Sequence, residues 1–164
     1  MEKTKLLFVC LGNICRSPSA ENIMNYLIEK EGLTEKFECD SAGTSRYHIG
    51  ASPDQRMQLA AKKRGIELKG KARQIEDFDL EYYDLILAMD KSNYADILRL
   101  DRETALRDRT RKYKDKIKLM CDFTTKFKDQ EVPDPYYGGE SGFDYVIDLL
   151  LDSCQGLLEY CEKK

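Results

Sequence analysis

The sequence predicts an α/β fold: a three-layer, doubly wound arrangement in which a four-stranded parallel sheet is flanked by helices on both faces. Four short runs of strand length, mostly apolar, recur along the chain at Lys5–Val9, Phe37–Ala42, Leu85–Met89 and Ile117–Cys121. Segments with helical spacing alternate with them. Strands that are apolar on both faces need cover on both, and parallel sheets obtain it from the helices that connect their strands.

The first run has strand length and leads into Cys10. Ser17-Pro18 then opens a helix, since Ser is a good N-cap and Pro suits the first helical position; Ile23, Tyr26 and Leu27 share one face before Gly32 ends it. After the second run, Ser52-Pro53 begins another helix in the same way. Gln55 completes a capping-box pattern there, and Met57, Leu59, Ala60 and Ala61 follow up to Gly65. The stretch Arg99–Lys116, with eight Lys or Arg against four Asp or Glu, reads as solvated helix and turn. In the last segment Ser141 is the expected N-cap with Asp144 three residues on. Apolar residues then recur at spacings of three and four from Phe143 to Cys161, which predicts one long amphipathic helix.

At 164 residues the chain has the size of one domain, expected to span 1–164. A formal net charge of −3 gives no overall attraction for nucleic acid. The apolar run after Met1-Glu2-Lys3-Thr4 is too short for a signal-peptide core or a membrane span, so a cytoplasmic protein without membrane insertion is expected. Six cysteines (Cys10, Cys15, Cys39, Cys121, Cys154, Cys161) lack the paired CxxC spacing of a structural zinc site, and reduced thiols with no metal or cofactor are the expectation. His48 is the single imidazole, so catalysis is expected to rest on thiols and carboxylates.

The segment Cys10-Leu11-Gly12-Asn13-Ile14-Cys15-Arg16-Ser17-Pro18 lies between the first strand and the first helix. A loop closing onto a helix N-terminus presents a concave set of backbone N–H groups, which with the helix dipole favours a phosphate dianion. Gly12 and Asn13 can supply the left-handed backbone angles of such a nest. Arg16 adds a planar fork that holds two phosphate oxygens at once. The same field stabilises thiolate over thiol, which makes Cys10 the candidate nucleophile, and the Ser17 hydroxyl is placed to donate to its sulfur. A bare Cys-x5-Arg spacing is weak; of the six cysteines only Cys10 has Arg six residues on, together with Gly12, Ser17, Pro18 and the strand and helix context.

These residues resemble the low-molecular-weight protein tyrosine phosphatases. Val9–Glu21 is similar to that family's signature, and Asp134-Pro135-Tyr136-Tyr137-Gly138 to its general-acid loop. Ser41-Ala42-Gly43-Thr44 and Met89-Asp90-Lys91-Ser92-Asn93 fit it as well. The resemblance implies metal-free hydrolysis of phosphotyrosine, in proteins or small aryl phosphates, through a cysteinyl-phosphate. It implies Asp134 as the acid, and the flanking Pro133 and Pro135 agree by restricting the backbone. It also implies Asn13 as the residue holding the loop open, and Cys15 as a redox partner that traps an oxidised Cys10. Leu11, Gly12, Asn13, Ile14, Cys15 and Ser17 are the expected substrate-binding residues of the loop; with Ile14, Tyr47, Tyr136 and Tyr137 fit an aromatic mouth.

One departure stands out. Many eukaryotic relatives carry a histidine shortly before Ala72-Arg73-Gln74, and this chain has Gly70 ahead of that stretch. Three rival readings stay open. Arsenate reduction needs further thiols in mid-chain, and none lies between Cys39 and Cys121. Arginine phosphatases place Thr where this loop has Ile14. A non-catalytic phosphate-binding module would be favoured by loss of the nucleophile, the guanidinium or the acid, and all three are present.

Overall fold

The computed structural model describes residues 2–107, 113–136 and 139–163. Strands β1 (Thr4–Cys10), β2 (Phe37–Gly43), β3 (Leu85–Ala88) and β4 (Ile117–Leu119) are all parallel and lie in the order β2-β1-β3-β4. The helices are α1 (Arg16–Lys30), α2 (Gln55–Lys62), α3 (Asp77–Tyr82), α4 (Lys91–Arg107) and α5 (Glu140–Glu162).

Successive strand side chains point to opposite faces, so β1 feeds two cores. Leu6 and Phe8 pack on one face with Met24 of α1, Met57 of α2 and Val146 of α5. Leu7 and Val9 pack on the other with Leu80 of α3 and Ile97 of α4. All four β1 residues are fully buried, and each such side chain is worth about 1.5–3 kcal/mol. The expected three-layer, doubly wound architecture is observed. The chain leaves β1 for β2 on one side and then passes to β3 on the other. The carboxyl end of β1 is therefore the switch in strand order where such sheets bind ligands.

The helix starts differ from expectation, each for a local reason. α1 begins at Arg16 with Cys15 as N-cap, so Ser17 lies inside its first turn with its hydroxyl turned to Cys10. α2 is capped by Asp54, whose carboxylate accepts the Arg56 N–H at 2.8 Å; the box from Ser52 to Gln55 does not form. α5 starts at Glu140 after Gly139, and Asp144 accepts from Arg64 instead of closing a box with Ser141. The fourth strand ends at Leu119, and Met120–Phe123 is a 3-10 turn. The basic stretch is helix and turn as expected, with Arg99, Arg102, Arg107 and Lys114 exposed; the helix, α4, starts earlier at Lys91 and within the stretch buries Asp101 and Thr104, while residues 108–112 lie outside the described residues. Gly32 and Gly65 do follow α1 and α2, both at positive φ (71° and 76°).

Candidate active site

Cys10 ends β1 at a cleft of about 390 Å³. Its Sγ lies 3.3 Å from the Asn13 N–H and 3.0 Å from Ser17 Oγ, and the residue is 3% exposed. Asn13 has φ 58°, the left-handed turn expected of it. Gly12 does not adopt a left-handed φ, contrary to expectation. Its value is space, because a Cβ there would stand 2.9 Å from His48 Cδ2.

Behind the loop runs a chain of side-chain hydrogen bonds. Asn13 Nδ2 donates to Ser17 Oγ (2.8 Å) and to Ser41 Oγ (2.9 Å), and Ser41 Oγ donates to Glu21 Oε1 (2.6 Å). Asn13 Oδ1 accepts the Arg73 N–H at 3.0 Å. With both N–H bonds of Asn13 used, Ser17 Oγ accepts one of them, and its own proton has two acceptors: Cys10 Sγ and the Ala42 carbonyl at 3.4 Å. An anionic sulfur takes that proton's bond. Burial pushes Glu21 up to about 7 against the pull of its Ser41 hydrogen bond. The network closes without an imidazole near Gly70.

Arg16 is 2% exposed. Its Nη1 donates to Asp90 Oδ2 (2.6 Å) and the Val132 carbonyl (3.1 Å), and its Nη2 lies 3.5 Å from Asp134 Oδ2. Burial opposes its charge, but the Cys10 sulfur and Asp90 outweigh that and hold the guanidinium protonated. Asp134 stands between Pro133 and Pro135, and its Oδ1 accepts the Tyr136 N–H at 3.1 Å. Cys15 is buried, and that burial, reinforced by the charges of Asp54 and Cys10, drives its thiol far above the ordinary cysteine range.

Of the residues expected from sequence, Cys10, Leu11, Gly12, Ile14, Cys15, Arg16, Tyr47, Asp134 and Tyr136 line the cleft. Asn13 and Ser17 stand behind it, 3% and 0% exposed, and shape the loop from there. Tyr137 lies outside the described residues. Sequence reasoning gave no role to several residues that matter. Asp90 orients Arg16 and accepts the Asn93 N–H at the start of α4. Arg73, bound through its guanidinium to Asp79 and Asp40, presents its N–H to Asn13. Gly43 lets β2 meet the loop, since a Cβ there would fall 2.7 Å from the Leu11 carbonyl oxygen. Ser45 and His48 complete the cleft wall, with the His48 ring 6.1 Å from that of Tyr136. The signal for Ser45 was closeness in sequence to Gly43 and Tyr47; His48 was noted as the single imidazole but given no place at the site. Among the described residues no group of three His, Cys, Asp or Glu is placed to hold a metal ion, and no helix is long and apolar enough to cross a membrane.

A sulfur at the end of the first parallel strand, a helix-opening loop around it, a buried guanidinium beside it and a carboxylate across the cleft define a cysteine-dependent phosphoric monoester hydrolase. The family model "Low molecular weight phosphotyrosine protein phosphatase" matches residues 5–164, and the chain belongs to that family. A Synechocystis sp. protein that carries a provisional low molecular weight protein-tyrosine-phosphatase name is 58% identical over 154 residues, 94% of each chain. The Rattus norvegicus low molecular weight phosphotyrosine protein phosphatase is 40% identical over 94% of this chain and 93% of its own. A protein tyrosine phosphatase from Entamoeba histolytica, crystallised with Hepes in the active site, superposes with a TM-score of 0.90 at 48% identity, covering 98% of both chains.

Proposed function

We propose that this phosphatase hydrolyses phosphotyrosine, in proteins or as small aryl phosphates, with Cys10 as nucleophile, Arg16 as phosphate clamp and Asp134 as general acid. The observation that carries the reading is the setting of Cys10 Sγ, which meets the Asn13 N–H and Ser17 Oγ beside the buried Arg16. Cys10 Sγ attacks phosphorus as the aryl P–O bond breaks. A phenolate of pKa ~10 leaves poorly at neutral pH, so Asp134 gives its proton to the departing oxygen. Water then attacks the phosphocysteine, the Asp134 carboxylate takes the water's proton, and the P–S bond breaks to return the thiolate. Ser17 donates to the sulfur as it leaves, and the loop N–H groups with Arg16 hold the equatorial oxygens through both transfers.

Ile14, Tyr47 and Tyr136 form the wall against which an aromatic ring packs. A branched alkyl group at Ile14 and the lack of mid-chain thiols weigh against phosphoarginine and arsenate. Cys15 is the proposed resolving thiol: peroxide oxidises Cys10 to the sulfenic acid, and the Cys15 thiol displaces water from it to form the disulfide. A cysteine nucleophile works only while reduced, which fits a reducing compartment such as the cytoplasm.

Cys10→Ser should lower hydrolysis of a phosphotyrosine peptide at least ~10³-fold without added metal. Full activity in that variant would remove the nucleophile. Asp134→Ala should cost ~10²-fold or more with phenolic leaving groups and far less with activated ones.

A further inference from the structure

We infer that Arg56 is a positioning residue for the general acid, setting the acid loop against the nucleophile loop. The inference rests on the reading of Asp134 given above.

The upstream side of the acid loop is fixed by backbone bonds: the Val132 N–H donates to the Met89 carbonyl at 2.8 Å, and the Val132 carbonyl accepts from Arg16 at 3.1 Å. Pro135 and Tyr136, next along the chain, belong to no helix or strand, and the Asp134 side chain is 39% exposed. Arg56 reaches that side. Its Nη2 donates to the Tyr136 carbonyl at 3.0 Å, and the Tyr136 N–H in turn holds Asp134 Oδ1 at 3.1 Å. One carboxylate oxygen is thereby tied back, and the other, Oδ2, is turned toward Arg16 and the cleft.

The guanidinium making this contact is itself held in place. Nε and Nη2 both donate to the Asp54 carboxylate, at 3.2 and 3.0 Å, and its carbon lies 4.5 Å from the Phe143 ring centroid and 5.5 Å from that of Tyr136. Asp54 also donates its backbone N–H to the Ile14 carbonyl at 2.8 Å. Arg56 thus spans from the nucleophile loop, through Asp54, to the residue that orients the acid. A planar fork with two fixed partners transmits that geometry; a lysine keeps the charge and loses the fork. Proton transfer tolerates little misplacement, so loosening this strut falls on leaving-group protonation and spares phosphate binding.

The test is a cycle of Arg56→Ala, Arg56→Lys, Asp134→Ala and the double variants, assayed for kcat on phenyl phosphate and on an activated nitrophenyl ester. Arg56→Ala should lower kcat ~10-fold on phenyl phosphate and less than ~3-fold on the activated ester, with Arg56→Lys in between. The inhibition constant of inorganic phosphate should move less than ~2-fold, which also reports an intact loop in variants of reduced stability. In the Asp134→Ala background, removing Arg56 should cost nothing further on either ester. Equal losses on the two esters, or losses that multiply with Asp134→Ala, overturn the inference while leaving the acid in place. An Asp134→Ala variant without leaving-group dependence removes the acid assignment and this inference with it.

Discussion

Helices α1 and α2 begin in opposite ways. α2 starts on Asp54, whose carboxylate accepts the Arg56 N–H and lies under the Arg56 guanidinium, so its positive end is neutralised from within the chain. α1 starts on Cys15 with no side-chain cap and no acidic residue in its first turn, and the N–H of Asn13 just ahead of it points at Cys10 Sγ. A cap is worth about 1 kcal/mol of stability, and α1 does without one. The difference separates a helix end capped from within the chain from one without a side-chain cap, the end whose free donors the proposed function assigns to phosphate oxygens.

Changing the open end should have the largest effect. Arg16→Lys keeps a cation but loses the fork that reaches Asp90, Val132 and the cleft together, and kcat/KM should fall ~10²-fold or more in steady-state assays. A loss below ~5-fold would mean that the N–H groups alone hold the phosphate.

The next effect concerns the acidic residue one turn further along α1. Glu21 is pushed from its ordinary 4.5 up to about 7, so the native state keeps a proton that the unfolded chain gives up. Stability should therefore decline as pH rises from about 4.5 to about 7, by roughly 1–3 kcal/mol, and Glu21→Gln should flatten the profile in denaturant titrations. A wild-type profile that climbs through that window would contradict the burial of this carboxyl.

The smallest effect belongs to the capped end. Asp54→Ala should cost about 1 kcal/mol at neutral pH, seen as a Tm lower by roughly 2–4 °C. Its Arg56 hydrogen bonds hold Asp54 below the ordinary carboxylate range despite partial burial. The contribution is therefore present above that range and fades as acid protonates the folded carboxylate, so wild type and variant should converge at low pH.

The same contrast explains what was legible in the sequence. β1, β3, β4 and α5 were readable because apolar side chains state their own burial, β2 less so because Glu38, Asp40 and Ser41 interrupt its run, and the nucleophile loop because its signals are consecutive. Helix starts were not. Ser17, Ser52 and Ser141 all have the chemistry of caps, but Ser17 is drawn to a sulfur, and Asp54 and Gly139 occupy the other two cap positions. α3 gave no clear apolar period, yet Glu76 and Asp79 close a capping box at its start. Asp90 and Arg73 act on loop residues 74 and 60 positions away, a separation no local pattern encodes. Gly43 lies in a stretch that fits the family, but the reason for glycine there, the Leu11 carbonyl 2.7 Å from where a Cβ would fall, exists only in the folded chain.

In the proposed reaction Arg16 meets the phosphate already tethered, since Asp90 and the Val132 carbonyl restrain it beforehand. Little conformational freedom remains to be lost on docking, and mobile ions outside screen a charge so enclosed only weakly. Ionic strength should therefore alter how fast charged peptides approach this enzyme much more than how tightly the phosphoryl group is gripped once seated.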